Sequence, residues 1–214
     1  MPPRSYGQYC AVARSLDLVG DRWTLLIVRE LLDGPQRYGD LLTALAPIAT
    51  DVLAGRLRHL EEHRLVHRPF GKRPAARAAY ELTDRGRDLQ DVIDALARWG
   101  RPLLTVRRPG DVVHPRWWVR AVRAHLRPDR DGPNLVVRFE TLDEMEVTVR
   151  ITADEVQTCA ADAPADVVIA GEVESLAAAL DPHRVSDLTA SGRLRVEGSA
   201  SAVGRLSAMW RRDR

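Results

Sequence analysis

Apolar residues recur at helical spacing through the first hundred positions and then change to strict alternation. In CAVARSLDLVG, Val12, Leu16 and Val19 are four and three apart, which puts them on one face of a helix that Gly20 stops. Asp21 is placed to cap a second helix, RWTLLIVRELLDGP, in which Trp23, Ile27 and Leu31 repeat every four residues and Leu26 widens the stripe. Trp23 there reads as a core anchor. Gly34 and Pro35 end that helix. A short helix over roughly residues 38–45 turns Leu41, Leu42 and Leu45 inward, and Ala46 and Pro47 make a turn. Thr50 can then cap a helix over about 51–63 whose buried stripe is Leu53, Leu57 and Leu60. Leu65–His67 and Ala79–Leu82 read as a strand and its return. Thr83 opens a last helix, TDRGRDLQDVIDALARWG, with an apolar stripe of Leu89, Val92, Ile93, Leu96 and Trp99. This stripe exceeds what a lone small domain can cover, so it packs either on its own domain or on a second copy; pairing is the favoured reading.

Pro102, Pro109, Gly110 and Pro115 punctuate residues 101–115, the composition of a linker. Two domains are therefore expected, 1–108 and 112–214. Pro115 suits the first turn of a helix, RWWVRAVRAHL, with Trp118, Val122 and Leu126 inward and Arg116, Arg120, Arg123 and Arg127 on other faces. Those arginines are read as solvated or as pairing between domains, with a second nucleic-acid contact as the alternative. Leu135, Val137 and Phe139 alternate with polar or outward positions, as do Met145, Val147, Val149 and Ile151, so each run has one buried and one wet face. LDEM is read as the turn between them. EVQTCA, DVVIAG and RLRVEG supply three further strands, and 175–180 and 199–210 two helices. The predicted class is α+β: a mainly α N-terminal winged helix-turn-helix, then an antiparallel sheet with helices on one face.

Charge sharpens this division. Residues 1–108 carry 18 basic and 13 acidic side chains, and residues 109–214 carry 14 and 17. Between His63 and Tyr80 there is no acidic residue, while Arg64, Arg68, Lys72, Arg73 and Arg77 fall there around Gly71 and Pro74. A basic loop between two strands can follow phosphates or enter a minor groove. Most charged loops are simply solvated; the position directly after two short helices favours DNA. The helix over 51–63 presents Thr50, Asp51, Ala54, Gly55 and Arg58 opposite its leucines, with Arg56 to one side. Small residues at Ala54 and Gly55 allow close approach in a major groove about 12 Å wide.

Other chemistries find little support. No apolar run approaches the ~20 residues of a membrane span, and MPPRSYGQYC lacks a signal-peptide core, so a cytoplasmic location is expected. Cys10 and Cys159 form no disulfide framework, and His59, His63 and His67 lack a further ligand at zinc spacing, so neither metal nor cofactor is expected. There is no G-x-S-x-G, H-E-x-x-H or P-loop, and no enzyme is expected.

Cys10, VARSLDLVGDRWTLLIVRELLDGPQRYGDL, then I-x(4)-L-x(3)-L-x(2)-LE, YELTDRGRDL and Trp99-Gly100 occur in order over residues 8–100, and this stretch resembles the HxlR family of regulators. The resemblance implies a dimeric winged helix-turn-helix that binds operator DNA. It adds Arg37 and Tyr38, which match the start of the first helix of the pair. It also implies that residues 48–61 are the recognition helix, with Arg56 as the arginine of the family's RL pair. Arg64 stands where the family usually has glycine, and Gly55 replaces a longer polar residue. Cys10 matches a cysteine that some relatives use to sense oxidants, and Arg14 lies one helical turn on. Residues 112–214, through PADVVIAGEVESLAAAL and SGRLRVEGSASAVGRLSAMW, resemble the sterol-carrier-protein-like fold. That resemblance implies an apolar ligand held among Trp118, Phe139, Met145, Val149, Met209 and Trp210, which otherwise fill a core. The expected protein is a dimeric repressor of double-stranded operator DNA, modulated by an apolar small molecule. A thiol switch at Cys10 and a lipid carrier in the second half are the alternatives.

Overall fold

A computed structural model describes residues 5–69, 79–141 and 145–211. The chain divides into two compact units, Met1–Ile93 and Asp94–Arg214. The division falls ahead of the proline-punctuated stretch 101–115, inside a continuous helix. Beyond that point side chains engage the second unit: Arg123 pairs with Asp94 at 3.2 Å, and Arg98 Nη1 donates to the Ala124 carbonyl at 3.0 Å.

The first unit contains α1 (Ala11–Val19), α2 (Thr24–Leu31), β1 (Gln36–Arg37), α3 (Tyr38–Ala44), α4 (Thr50–Glu62), β2 (Val66–His67), β3 (Ala79–Leu82) and α5 (Asp84–Arg87). Its core is built as the leucine spacing requires: Leu41 of α3, Leu53, Leu57 and Leu60 of α4, and Ile27, Val28 and Leu31 of α2 are buried. Leu65, Val66 and Leu82 close it from the sheet, whose order is β1-β3-β2, with Gln36 opposite Tyr80 and Val66 opposite Leu82.

Several local expectations are corrected. Asp21 does not cap α2; the helix starts at Thr24, behind Trp23, whose φ of 79° lies in the left-handed region. Thr50 is the first helical residue of α4, and Ala49 holds the cap position without a side-chain bond. The apolar stripe of α1 is only partly covered: Val19 is buried, Val12 and Leu16 are exposed, and Ala13 makes the other inward contact. Leu26 is also exposed, while Trp23 is half-buried against the core. Thr83 caps only α5, through a bond accepted from the Gly86 amide at 3.1 Å. A separate helix, α6 (Leu89–Gly100), follows, and of its stripe Ile93 is buried while Val92, Leu96 and Trp99 are exposed. Alternation and spacing identify a helix face; they do not say whether the chain itself covers it.

The second unit continues with α7 (Pro115–His125), β4 (Leu135–Glu140), β5 (Glu146–Ile151), β6 (Val156–Thr158), β7 (Val167–Gly171), α8 (Val173–Ala179), α9 (Val185–Ala190), β8 (Leu194–Gly198) and α10 (Ala200–Met209). LDEM falls mostly outside the described residues. The sheet order is β6-β5-β4-β7-β8. It is mixed rather than antiparallel, because β7 lies parallel beside β4, with Val137 opposite Val167 and Phe139 opposite Ile169. Alternation reports which face is buried and carries no information on strand direction. One sheet face is apolar, and Trp118, Val122, Leu176, Leu188, Leu206 and Met209 from α7, α8, α9 and α10 pack into the same core. The apolar pattern does not predict α9. Its six residues bury only Leu188, too little to produce a periodic signal. Arg120, read from the sequence as solvated or as pairing between domains, is buried.

Candidate nucleic-acid interface

The helices α3 and α4 are joined by a short turn in which the Ile48 amide donates to the Leu45 carbonyl at 3.0 Å. Leu41, Leu45, Leu53 and Leu57 lock the pair on the core, which fixes what the far side of α4 can present. Thr50, Asp51 and Arg58 are exposed, and Ala54, Gly55 and Arg56 are half-buried. A Cβ built on Gly55 would meet nothing within 4 Å, so nothing among the described residues requires glycine there. Its missing side chain leaves open space on the outward flank of α4.

Three polar contacts fasten α4. The Tyr38 hydroxyl donates to the Thr50 carbonyl at 2.7 Å. Arg56 Nη1 donates to Asp21 Oδ2 in an ion pair. His59 Nε2 lies 3.0 Å from the Leu18 carbonyl, and because a carbonyl only accepts, that nitrogen carries the proton. Thus Tyr38 and Arg56, two residues expected at the interface, are committed to contacts within the chain. Arg58 is exposed and has no ion-pair partner among the described residues.

The end of α4 follows the Schellman pattern: the Leu65 amide donates to the Leu60 carbonyl at 2.9 Å and the Arg64 amide to that of Glu61 at 3.0 Å. This requires a left-handed residue at position 64, and Arg64 has φ 55°. The glycine expected there from the family resemblance has a conformational reason, and arginine adopts that conformation against its preference.

In the strand pair, Arg68 is held by Glu61, Nε to Oε1 at 2.8 Å and Nη2 to Oε2 at 3.4 Å, with its guanidinium 5.4 Å from the centre of the Tyr80 ring. The Glu61 hydrogen bond and charge raise the Arg68 pKa above its ordinary value. Burial raises that of Tyr80, with Arg68 opposing. Arg37, the last residue of β1, holds the cap position before α3 with an exposed side chain, and its amide donates to Asp40 Oδ2 at 3.3 Å. Lys72, Arg73 and Arg77 lie outside the described residues.

Cys10 is exposed immediately before α1. Arg14 points instead to Asp17, at 3.7 Å, and to Ser5, at 3.5 Å. The rings of His59 and His63 meet edge to face at 4.5 Å, and among the described residues no group of three or more His, Cys, Asp or Glu side chains could hold a metal. Among them, too, no helix is long and apolar enough to cross a membrane.

In the second unit, Trp118, Phe139, Met145, Val149, Met209 and Trp210 are all buried in one core, and the Trp118 and Phe139 rings meet at 5.5 Å. Trp118 Nε1 is buried with no acceptor among the described residues. A surface depression of about 420 Å³ lies elsewhere, lined by Thr105, Val106, Glu172, Glu174, Ser175, Gly192 and Arg193. None of the six expected ligand contacts borders it.

Two helices joined by a short turn, with the second presenting an open outer face and running into a strand pair, define a helix-turn-helix protein. The chain belongs to the HxlR-like helix-turn-helix family, which it matches over residues 18–107. It is 38% identical over 94 residues to the transcriptional regulator sll1512 of Synechocystis sp., covering 44% of this chain and 70% of that one. It is 32% identical over 99 residues to the regulator YodB of Bacillus subtilis, covering 46% and 86% respectively. The crystal structure of quinone-bound YodB shares 31% identity with it over 42% of this chain and 96% of that one, with a TM-score of 0.38. The protein is a transcriptional regulator of helix-turn-helix type.

Proposed function

We propose that the protein is a dimeric winged helix-turn-helix repressor that binds double-stranded operator DNA through residues 1–108. The carrying observation is the outer face of α4, where exposed Thr50, Asp51 and Arg58 flank the open space beside Gly55. In this reading Arg58 and Arg37 contact DNA from α4 and from the start of α3. Arg68, Lys72, Arg73 and Arg77 of the wing supply phosphate contacts that release counterions. Exposed Val92, Leu96 and Trp99 of α6 pair with a second copy, and two recognition helices then address major grooves about 34–36 Å apart. The test is anisotropy titration of genomic fragments recovered with the protein. A preference for particular fragments over random duplex, with affinity falling as salt rises, is the expected result; equal and salt-independent binding to both overturns the reading.

Residues 112–214 serve in this proposal as a sterol-carrier-protein-like effector domain for an apolar small molecule. The supporting observation is Trp118 Nε1, buried beside Phe139 with no partner among the described residues. A ligand with an acceptor oxygen would satisfy that donor. It would alter operator binding only by favouring one of two arrangements of the protein. Native mass spectrometry of the purified protein tests for a retained lipid. A second reading, a thiol switch at Cys10, is favoured by that residue's exposure and by kinship with YodB, one of whose structures is quinone-bound. An oxidant response that survives Cys10→Ser excludes it.

A further inference from the structure

Arg56 occupies an outward flank of the recognition helix, yet its guanidinium is engaged by a carboxylate from a different element. That carboxylate is carried by a constrained turn. Gly20 ends α1 where an added Cβ would meet the Leu16 carbonyl at 2.5 Å, so the chain turns too tightly there for a side chain. Three residues later Trp23 takes φ 79°, a conformation rare for a bulky residue and retained only where the surroundings enforce it. The enforcement is visible: Trp23 packs on the core, Arg22 lies 5.4 Å over its ring, and the Thr24 amide donates to the Asp21 carbonyl at 3.2 Å. Held in this way, the Asp21 side chain makes no capping bond to α2 and is directed at Arg56. One helical turn along α4, His59 donates to the Leu18 carbonyl. Both links run from one flank of α4 to the same few residues, 18–21.

We infer that Asp21 and Arg56 form a positioning pair that sets how the recognition helix α4 is presented, with Arg56 acting through Asp21 and not as a contact to DNA. This deepens the operator-binding reading and rests on it. Arg58, the arginine of the helix with no ion-pair partner among the described residues, is the one left to meet the duplex. Two features separate this role from direct contact. A positioning residue does not release a counterion of its own, so its loss leaves the salt dependence of binding unchanged. It also fails together with its partner, whereas freeing a DNA-contacting arginine from a competing carboxylate strengthens binding.

The experiment uses the full chain and measures anisotropy with an operator fragment and a random duplex at several salt concentrations. The variants are Arg56→Gln, Asp21→Asn, the two combined, and the exchange Asp21→Arg/Arg56→Asp. The expected result is a loss of about fivefold in operator affinity for either single variant, the scale of one exposed ion pair. The double variant is no weaker than the singles, the exchange recovers most of the affinity, and the salt slope is unchanged throughout. A salt slope reduced by about one in Arg56→Gln overturns the inference. So does unchanged or tighter binding by Asp21→Asn. The single variants decide the matter if the exchange fails to fold. If the wild-type chain shows no salt-dependent duplex binding, it is the operator-binding reading that fails. Hydrogen exchange of the amides of residues 53–60 then judges the pair: protection lost in both single variants supports it, and protection unchanged in either overturns it.

Discussion

The Tyr38 hydroxyl donates to the main-chain carbonyl of Thr50 over 2.7 Å, so the first residue of α3 holds the first residue of α4 across the turn. Tyr38 was expected at the DNA, and this bond gives it a second task. Replacing it with phenylalanine keeps the ring and removes the donor. Tyr38→Phe should lower stability by about 0.5–1.5 kcal/mol, the net worth of one such bond, as read from urea denaturation midpoints. A variant with unchanged stability but weaker duplex binding would assign the hydroxyl to DNA instead.

Arg64 gives a prediction of opposite sign. Its φ of 55° is unfavourable for an L side chain by about 1–2 kcal/mol, while glycine carries an entropic cost of about 0.5–1 kcal/mol. Arg64→Gly should therefore stabilise the chain by about 0.5–1 kcal/mol, and Arg64→Ala, which keeps the strained Cβ, should not. Denaturation of both variants separates this conformational effect from loss of the charge, which the two share.

These two positions show where the sequence was informative. The apolar stripes of α3 and α4 lie where the spacing requires, because Leu41, Leu53, Leu57 and Leu60 have no alternative covering within a small domain. Arg64 was recognisable as a departure from a glycine position, and its left-handed conformation explains why glycine belongs there. The links that orient α4 were not legible. Asp21 precedes a helix and reads as its cap, and only the turn through Trp23 directs it 35 residues along the chain to Arg56. His59 looked like part of a histidine series, whereas its ring serves a carbonyl of α1. In the second unit, alternation located β4 and β5 but not the parallel placement of β7 beside β4, since pairing direction depends on the path of the chain outside the strands.

Glu61 bears on how much of Arg68 is free to act at phosphates. Both of its guanidinium hydrogen bonds among the described residues run to that one carboxylate, at 2.8 and 3.4 Å. Arg68 is exposed and Glu61 half-buried, so Glu61→Gln should change stability by at most about 1 kcal/mol. It removes a negative charge beside the proposed wing and releases Arg68. Affinity for operator and random duplex alike should rise, and the salt dependence should steepen by up to about one counterion. Binding that is unaltered at every salt concentration would mean that Arg68 serves only to join α4 to the strand pair.

The exposed side of α6 supplies the last prediction. Val92, Leu96 and Trp99 are spaced four and three apart, and Trp99 is 76% exposed. A helix that exposes a tryptophan and two aliphatic residues on one face gains when a second apolar surface covers it, at roughly 25 cal/mol per Å². If that surface is the same helix of another copy, each substitution acts twice in a symmetric interface. Leu96→Glu then places like charges close together in a region losing water, and sedimentation equilibrium should show monomers at concentrations where the unaltered chain is dimeric. Folding should be nearly unaffected, because changes at exposed positions usually fall within about ±0.5 kcal/mol. Operator affinity should drop steeply, since one recognition helix would have to bind without its neighbour. A molar mass unchanged by Leu96→Glu would remove α6 from the subunit interface.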